Sequence, residues 1–190
     1  MGLLSLAGGA LAEDSVTEQI DAGRAYYLEG DRPGAISELQ FAINEIRSQI
    51  NQAVAATMPD PPTGWSAEAA SGEQAAAFLG GGTMMTRSYR QEGGAGRIEA
   101  QLAADNPIAQ GMAAFLANPA FLSSQPGAKR VRVHHENAVL IEDCERAELN
   151  LMLGGRALLK LEGRDLSSPD LLVDMMEAWD VESLKSTLGL

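Results

Sequence analysis

Three prolines within four residues divide this chain into two parts. Residues 58–64, MPDPPTG, cannot form regular structure, because proline removes a backbone donor and biases the residue before it to extended geometry. Before this segment the apolar residues recur every three or four positions, and after it they alternate with polar ones. The change of period predicts helices in the first part of the chain and strands in the second.

The sequence before the prolines predicts two antiparallel helices. Ser15 and Glu18 have the spacing of a capping box, so the first helix is expected to begin at Ser15. Gly30 can end that helix and Asp31 can cap the next one, which predicts the turn between them. The second helix carries an apolar stripe with three- and four-residue spacing. The stripe consists of Ile36, Leu39, Ile43, Ile46, Ile50 and Val54.

Residues 22–31, AGRAYYLEGD, together with Ala35, Ile36 and Leu39, resemble a tetratricopeptide repeat. Repeats of that family stack in arrays, because one hairpin cannot bury its own apolar face. The chain has one such hairpin, so the resemblance implies a hairpin that docks or self-associates, with peptide binding as the alternative. We predict a contact surface for a protein partner or for a second copy of the chain. Its residues are Tyr26, Tyr27, Ile36, Leu39 and Ile43.

The sequence from the prolines onward predicts a linker rich in Pro, Gly and Ala over residues 59–82. An α+β domain over residues 83–190 is predicted to follow it. Helix-start signals stand at Asn106 and Ser168. The order is β-β-α-β-β-β-β-α, and the short connections favour an antiparallel sheet of about six strands packed by helices. The predicted strands cover residues 83–91, 97–102, 130–134, 138–142, 146–153 and 156–162.

The dipeptide Gly64-Trp65 followed by this order of elements is similar to the PsbP-like sandwich fold of exported bacterial and thylakoid-lumen proteins. The resemblance extends from Trp65 to Leu190. It implies an accessory or assembly-type protein rather than an enzyme, by analogy at the level of the fold.

Residues 3–12, LLSLAGGALA, have the length of a signal-peptide core and end in an A-x-A cleavage pattern, although no positive charge precedes them. We therefore predict a truncated signal peptide over residues 1–12, a mature hairpin over residues 13–58 and a periplasmic or otherwise exported protein. The alternative is a cytoplasmic protein in which the run is an N-terminal helix. No other stretch approaches the ~18 apolar residues of a membrane span, so none is expected after removal of the leader.

The net charge of −12 argues against nucleic-acid binding, because the chain would repel a phosphate backbone. The two histidines, His134 and His135, are followed by Glu136 and are the candidate metal ligands. They are predicted at the end of a strand, before a turn at Glu136-Asn137, where adjacent side chains point to opposite faces. A polar surface turn is the alternative interpretation. Cys144 stands among three carboxylates, which disfavour a reactive thiolate and predict an inert or dimer-forming thiol.

No catalytic motif and no cofactor motif is found in the sequence. The resulting hypothesis is an exported, non-enzymatic protein of accessory or assembly type that acts through protein–protein contact. The alternative hypothesis is a periplasmic metal- or small-ligand-binding protein.

Overall fold

A computed structural model describes residues 8–72, 82–116 and 125–190. The chain divides into two compact units, Met1–Gln52 and Ala53–Leu190. Parts of the predicted signal peptide and of the predicted linker lie outside the described residues, so the boundaries of these segments stay predictions.

The first unit is an antiparallel pair of helices, α1 (Gly8–Glu29) and α2 (Arg32–Thr57), whose last residues enter the second unit. Gly30 has a φ of 88° and ends α1. Its N–H donates to the carbonyl of Tyr27 at 3.2 Å, and the N–H of Asp31 donates to the carbonyl of Tyr26 at 3.0 Å, which is the Schellman pattern. The Asp31 carboxylate accepts from the N–H of Gly34 at 3.0 Å and caps α2. The predicted Gly-Asp turn is confirmed.

The prediction that the first helix begins at Ser15 is wrong, because α1 already begins at Gly8. Ala10, Leu11 and Ala12 have high helix propensity and continue the helix in the N-terminal direction. Ser15 and Glu18 therefore lie within α1 and not at its start.

The two helices of the first unit approach each other through small residues. Gly23 of α1 is buried, as are Ala35 and Ala42 of α2. A Cβ atom on Gly23 would lie 2.9 Å from Cγ of Leu39, which is too close for an ordinary contact. The absence of a side chain at Gly23 thus permits the close approach of α1 and α2.

The second unit is built on an antiparallel sheet, with strands in the order β1-β3-β4-β8-β7-β6-β5, while β2 also pairs with β3. Its strands are β1 (Trp65–Ala67), β2 (Ser71–Gly72), β3 (Thr83–Gln91), β4 (Arg97–Ala104), β5 (Ala128–Val133), β6 (Glu136–Glu142), β7 (Arg146–Leu153) and β8 (Ala157–Arg164). Its helices are α3 (Pro107–Leu116), α4 (Asp170–Glu177) and α5 (Val181–Leu188). The predicted α+β class, with an N-terminal helical pair and an antiparallel sheet, is confirmed.

The predicted number of about six strands is too low, because the described residues form eight. The additional strands are β1 and β2, which fall in the segment assigned to a linker. They are three and two residues long, too short to show an alternating pattern in the sequence. Both pair with β3, and Trp65 stands opposite Gln91.

One face of the sheet carries the main core. Leu102, Leu159 and Leu151 occupy neighbouring positions on β4, β8 and β7 and are fully buried. Helix α4 covers this face, and a Cβ atom on Gly163 would lie 3.2 Å from Cδ2 of Leu172. Burial of each large aliphatic side chain contributes about 1.5–3 kcal/mol.

The opposite face of the sheet is covered in part by α3. Ala109 of α3 is buried against Ala103 of β4 and Leu158 of β8, with Met112 and Leu116 beside them. The rest of this face carries charged side chains, described below. Among the helices in the described part of the chain, none is long and apolar enough to cross a membrane.

Candidate binding surfaces

The helical pair exposes an apolar surface. Ile36 and Tyr27 are 68% and 65% exposed, and Tyr26, Leu39 and Ile43 are exposed as well. With the exception of Phe115, every large exposed apolar side chain in the described residues lies on α1 or α2. The others in this set are Ile20, Leu28, Phe41 and Ile46.

This exposure follows from how the helices pack. Within the first unit, the buried residues of α2 are Ala35 and Ala42, which are seven positions apart and lie on the side facing α1. Ile36 and Ile43 each follow one residue later, so they are rotated by about 100° around the helix axis. The small residues therefore join the two helices, Leu39 lies partly against Gly23 of α1, and Ile36 and Ile43 are left on the outside.

The exposed residues of α2 have the spacing of a helix-packing seam. Ile36, Leu39, Ile43 and Ile46 are separated by three, four and three positions. This is the a/d spacing of a heptad, which places side chains in one line along a helix. We call these four residues the α2 seam. Such a seam is complementary to another helix with the same spacing.

The two histidines form a tight turn between β5 and β6. Val133 pairs with Glu136, so His134 and His135 are the two central residues of the turn. Their φ angles are 51° and 64°, which is the geometry of a type I′ turn. The predicted turn at Glu136-Asn137 is wrong, and so is the prediction that the histidines lie on a strand. Histidine is among the few residues other than glycine that enter the left-handed region with some frequency.

The side chain of His134 joins this turn to the end of α4. Its Nε2 atom is 2.8 Å from the carbonyl oxygen of Met176 and donates to it. Its Nδ1 atom lies 3.8 Å from the carboxylate of Glu177, which also accepts from the backbone N–H of His134 at 3.3 Å. These contacts link positions more than forty residues apart, and no spacing in the sequence indicates them.

An open surface pocket of about 260 Å³ lies at the turn and is lined by Arg132, His134, His135 and Glu177. Arg132 donates to the carbonyl of His135 at 3.1 Å and supports the turn. Within residues 8–72, 82–116 and 125–190, no group of three or more His, Cys, Asp or Glu side chains is placed to hold a metal ion. Metal binding by His134, His135 and Glu136 stays a prediction.

Cys144 is exposed in the turn between β6 and β7. Asp143 organises that turn, because its carboxylate accepts from the N–H groups of Glu145 at 3.0 Å and Arg146 at 2.9 Å. The same two hydrogen bonds lower the pKa of Asp143. Of the acidic residues beside Cys144, Asp143 thus shapes the turn.

A network of ion pairs covers the open part of the second sheet face. Arg146 donates to Glu148 and Glu162, at 3.0 Å in both cases. Lys160 lies 3.3 Å from Glu148 and 3.2 Å from Glu162, and Arg164 donates to Glu162 at 3.1 Å. Partial burial raises the pKa of Glu162, but the hydrogen bonds from Arg164 and Lys160 and the charge of Arg146 outweigh it and hold that pKa below its ordinary value.

No family model matches the chain, and no curated protein and no solved structure matches it either. The resemblances to a tetratricopeptide repeat and to the PsbP-like fold stay predictions. The assignment of a function therefore depends on the geometry of these surfaces.

Proposed function

We propose that this chain is a non-enzymatic binding protein that acts through protein–protein contact, with the helical pair as its contact surface. The observation that carries the proposal is the concentration of exposed large apolar side chains on α1 and α2. Exposed apolar patches of this kind mark interaction sites on soluble proteins. The residues predicted from the sequence, including Tyr27 and Ile36, belong to this surface.

The energetics favour a helical partner. Full burial of an Ile or Leu side chain contributes about 1.5–3 kcal/mol, and a partner helix would bury the 39–68% of each α2 seam side chain that is exposed. A helix from another protein, or from a second copy of this chain, would pack its own seam against them. Tyr26 and Tyr27 are exposed on α1 and add aromatic side chains, which are enriched at interfaces.

We further propose that the protein acts outside the cytoplasm as an accessory or assembly-type factor. The apolar run and A-x-A pattern of residues 3–12 support export, and the resemblance to the PsbP-like fold supports the accessory role. N-terminal sequencing of the protein isolated from its own cells tests export. Cleavage after Ala12 is the expected result, and an intact N-terminus contradicts it.

Site-specific photo-crosslinking in the producing cell tests the contact surface. A crosslinking residue at Phe41 or Tyr27 is expected to give a defined adduct, with twice the mass of the chain for a second copy or another mass for a different protein. The substitution Ile43→Asp is expected to abolish the adduct. The control position is Glu182, whose side chain is 89% exposed on α5. Absence of a defined adduct at both positions, or the same adducts from Glu182, contradicts the proposal.

The pocket at the histidine turn favours a second candidate function, the binding of a metal ion or small ligand. Its lining combines Arg132, two imidazoles and the Glu177 carboxylate. Thermal unfolding with added Zn²⁺, Cu²⁺ or Ca²⁺ tests this function. It predicts a rise in melting temperature that His135→Ala removes, and the absence of a shift with all three ions contradicts it.

A further inference from the structure

Strand β5 (Ala128–Val133) forms an open edge of the sheet. Among the strands of the described residues it is the last in the sheet order and pairs with β6 alone. At the other end of the sheet, the outer side of β3 is covered by the short strands β1 and β2. An edge of six residues is long enough to accept another strand, since strands of three to ten residues are usual.

The turn between β5 and β6 determines which backbone groups of β5 face outward. In a two-residue hairpin the pair next to the turn, Val133 and Glu136, exchanges both hydrogen bonds. Along β5, residues whose backbone bonds to β6 then alternate with residues whose backbone faces away from β6. Arg130 and Arg132 belong to the second set, so they direct their N–H and C=O groups to the open side. No hydrogen bond from the turns, loops and caps of the described residues reaches these backbone groups.

The same two residues give the edge a positive charge. Arg130 and Arg132 are exposed, and neither forms an ion pair with any described residue. The only hydrogen bond described for the Arg132 side chain goes to the carbonyl of His135. Lys129 is also exposed, but it pairs with Glu142 at 3.0 Å. Two guanidinium groups that form no ion pair within the described part of the chain attract a negatively charged partner.

A second copy of the chain does not fit this edge. Antiparallel pairing of β5 with β5 of another copy would use the outward groups of Arg130 and Arg132 on both strands. Each register that does so places at least one arginine directly opposite an arginine. Like charges in directly opposed positions destabilise a strand pair. The positive charge of β5 therefore favours a partner strand whose sequence differs from that of β5.

We infer that β5 binds an extended acidic segment of another protein by antiparallel strand addition, with Asp or Glu opposite Arg130 and Arg132. Side chains of the added strand alternate between the two faces of the sheet. The side chains between the acidic residues would lie beside Val131 and Val133, on the face of the sheet that carries the main core. We therefore expect these side chains to be apolar. The ligand is a strand in which acidic and aliphatic residues alternate. This surface is separate from the α2 seam and does not rest on the proposed function.

Fluorescence anisotropy of the full chain with a labelled peptide of about eight residues, alternating Glu and Val and blocked at both ends, tests the inference. Saturable binding below ~1 mM is expected, weakening as salt is added. The double substitution Arg130→Glu and Arg132→Glu is expected to weaken binding at least about tenfold and to permit binding of a Lys-Val peptide. The matched control, Lys185→Glu on α5, is expected to leave the affinity unchanged.

Backbone methylation separates strand addition from attraction of charge alone. In the inferred register the amides of the Glu residues donate to β5, whereas those of the Val residues point away. Peptides methylated on the Glu amides are expected to lose binding, and peptides methylated on the Val amides to retain it. Equal binding of both peptides, equal binding of a peptide with Glu and Val in two blocks, or no saturable binding overturns the inference. Circular dichroism of each variant verifies that it is folded.

Discussion

The hydroxyl of Thr57 gives a sharp test of the packing in the second unit. It donates to the carbonyl of Val54 at 2.7 Å and accepts from the indole N–H of Trp179 at 3.2 Å. Thr57 is 4% exposed and Trp179 is 1% exposed, so water cannot replace a lost partner. Thr57→Val keeps the size of the side chain and removes both hydrogen bonds.

The expected cost of Thr57→Val is about 2 kcal/mol. Leaving the Trp179 N–H buried without a partner costs roughly 1–3 kcal/mol, and the lost bond to Val54 adds roughly 0.5–1.5 kcal/mol. The more apolar side chain offsets about 1 kcal/mol of this cost. Thr57→Ser keeps the hydroxyl and loses one methyl group, which costs about 1 kcal/mol. The more hydrophobic substitution is therefore expected to be the more destabilising one.

Urea unfolding followed by tryptophan fluorescence measures these differences, because Trp65 and Trp179 both belong to the second unit. Trp179→Phe combined with Thr57→Val completes a double-mutant cycle, and the cost of Thr57→Val is expected to shrink when the indole N–H is absent. A Thr57→Val protein within about 0.5 kcal/mol of the parent, or one more stable than Thr57→Ser, would refute the reasoning.

Four further substitutions are expected to have different effects on stability. Ile43→Asp on the exposed α2 seam should change the free energy of unfolding by less than about 0.5 kcal/mol, as measured by urea unfolding followed by circular dichroism. Glu162 has a lowered pKa in the folded state, so it contributes stability above its unfolded pKa that is lost as the pH falls through the folded pKa. Glu162→Gln should therefore flatten the acid limb of a plot of unfolding midpoint against pH, and an unchanged slope would contradict this. His135→Gly should stabilise by about 0.5–1 kcal/mol by relieving the positive φ, whereas His134→Gly should destabilise because it also loses the ring contacts with α4. Melting temperatures that fall by the same amount in both variants would contradict the assigned contacts.

Much of the sheet is predictable from the sequence because its inner strands alternate clearly. Arg146–Leu153 is one such strand, in which Ala147, Leu149, Leu151 and Leu153 face the core. Strands β1 and β2 are not predictable in the same way. They consist of three and two residues and exist only through pairing with β3, a long-range contact that local periodicity does not report.

The candidate surfaces are predictable only in part, for two physical reasons. The apolar stripe of α2 can be identified from the sequence. The packing of α1 against α2 depends on Gly23, Ala35 and Ala42, and these residues are too small to stand out in a hydrophobicity pattern. The register of the β5–β6 turn depends on which residues accept a positive φ. Asn137 favours a turn at Glu136-Asn137, two residues later than the turn at His134 and His135 that the structure has.

The pairing of β4 with β8 determines the order in which this chain can fold during synthesis. Arg97 stands opposite Arg164, so the centre of the sheet is completed only when one of the last strands has left the ribosome. Helices α1 and α2 meet through contacts close in sequence and form much earlier, since local contacts fold fastest. Each nascent chain therefore carries the exposed apolar surface of the helical pair before it has a sheet. A chaperone can therefore engage that surface while translation continues.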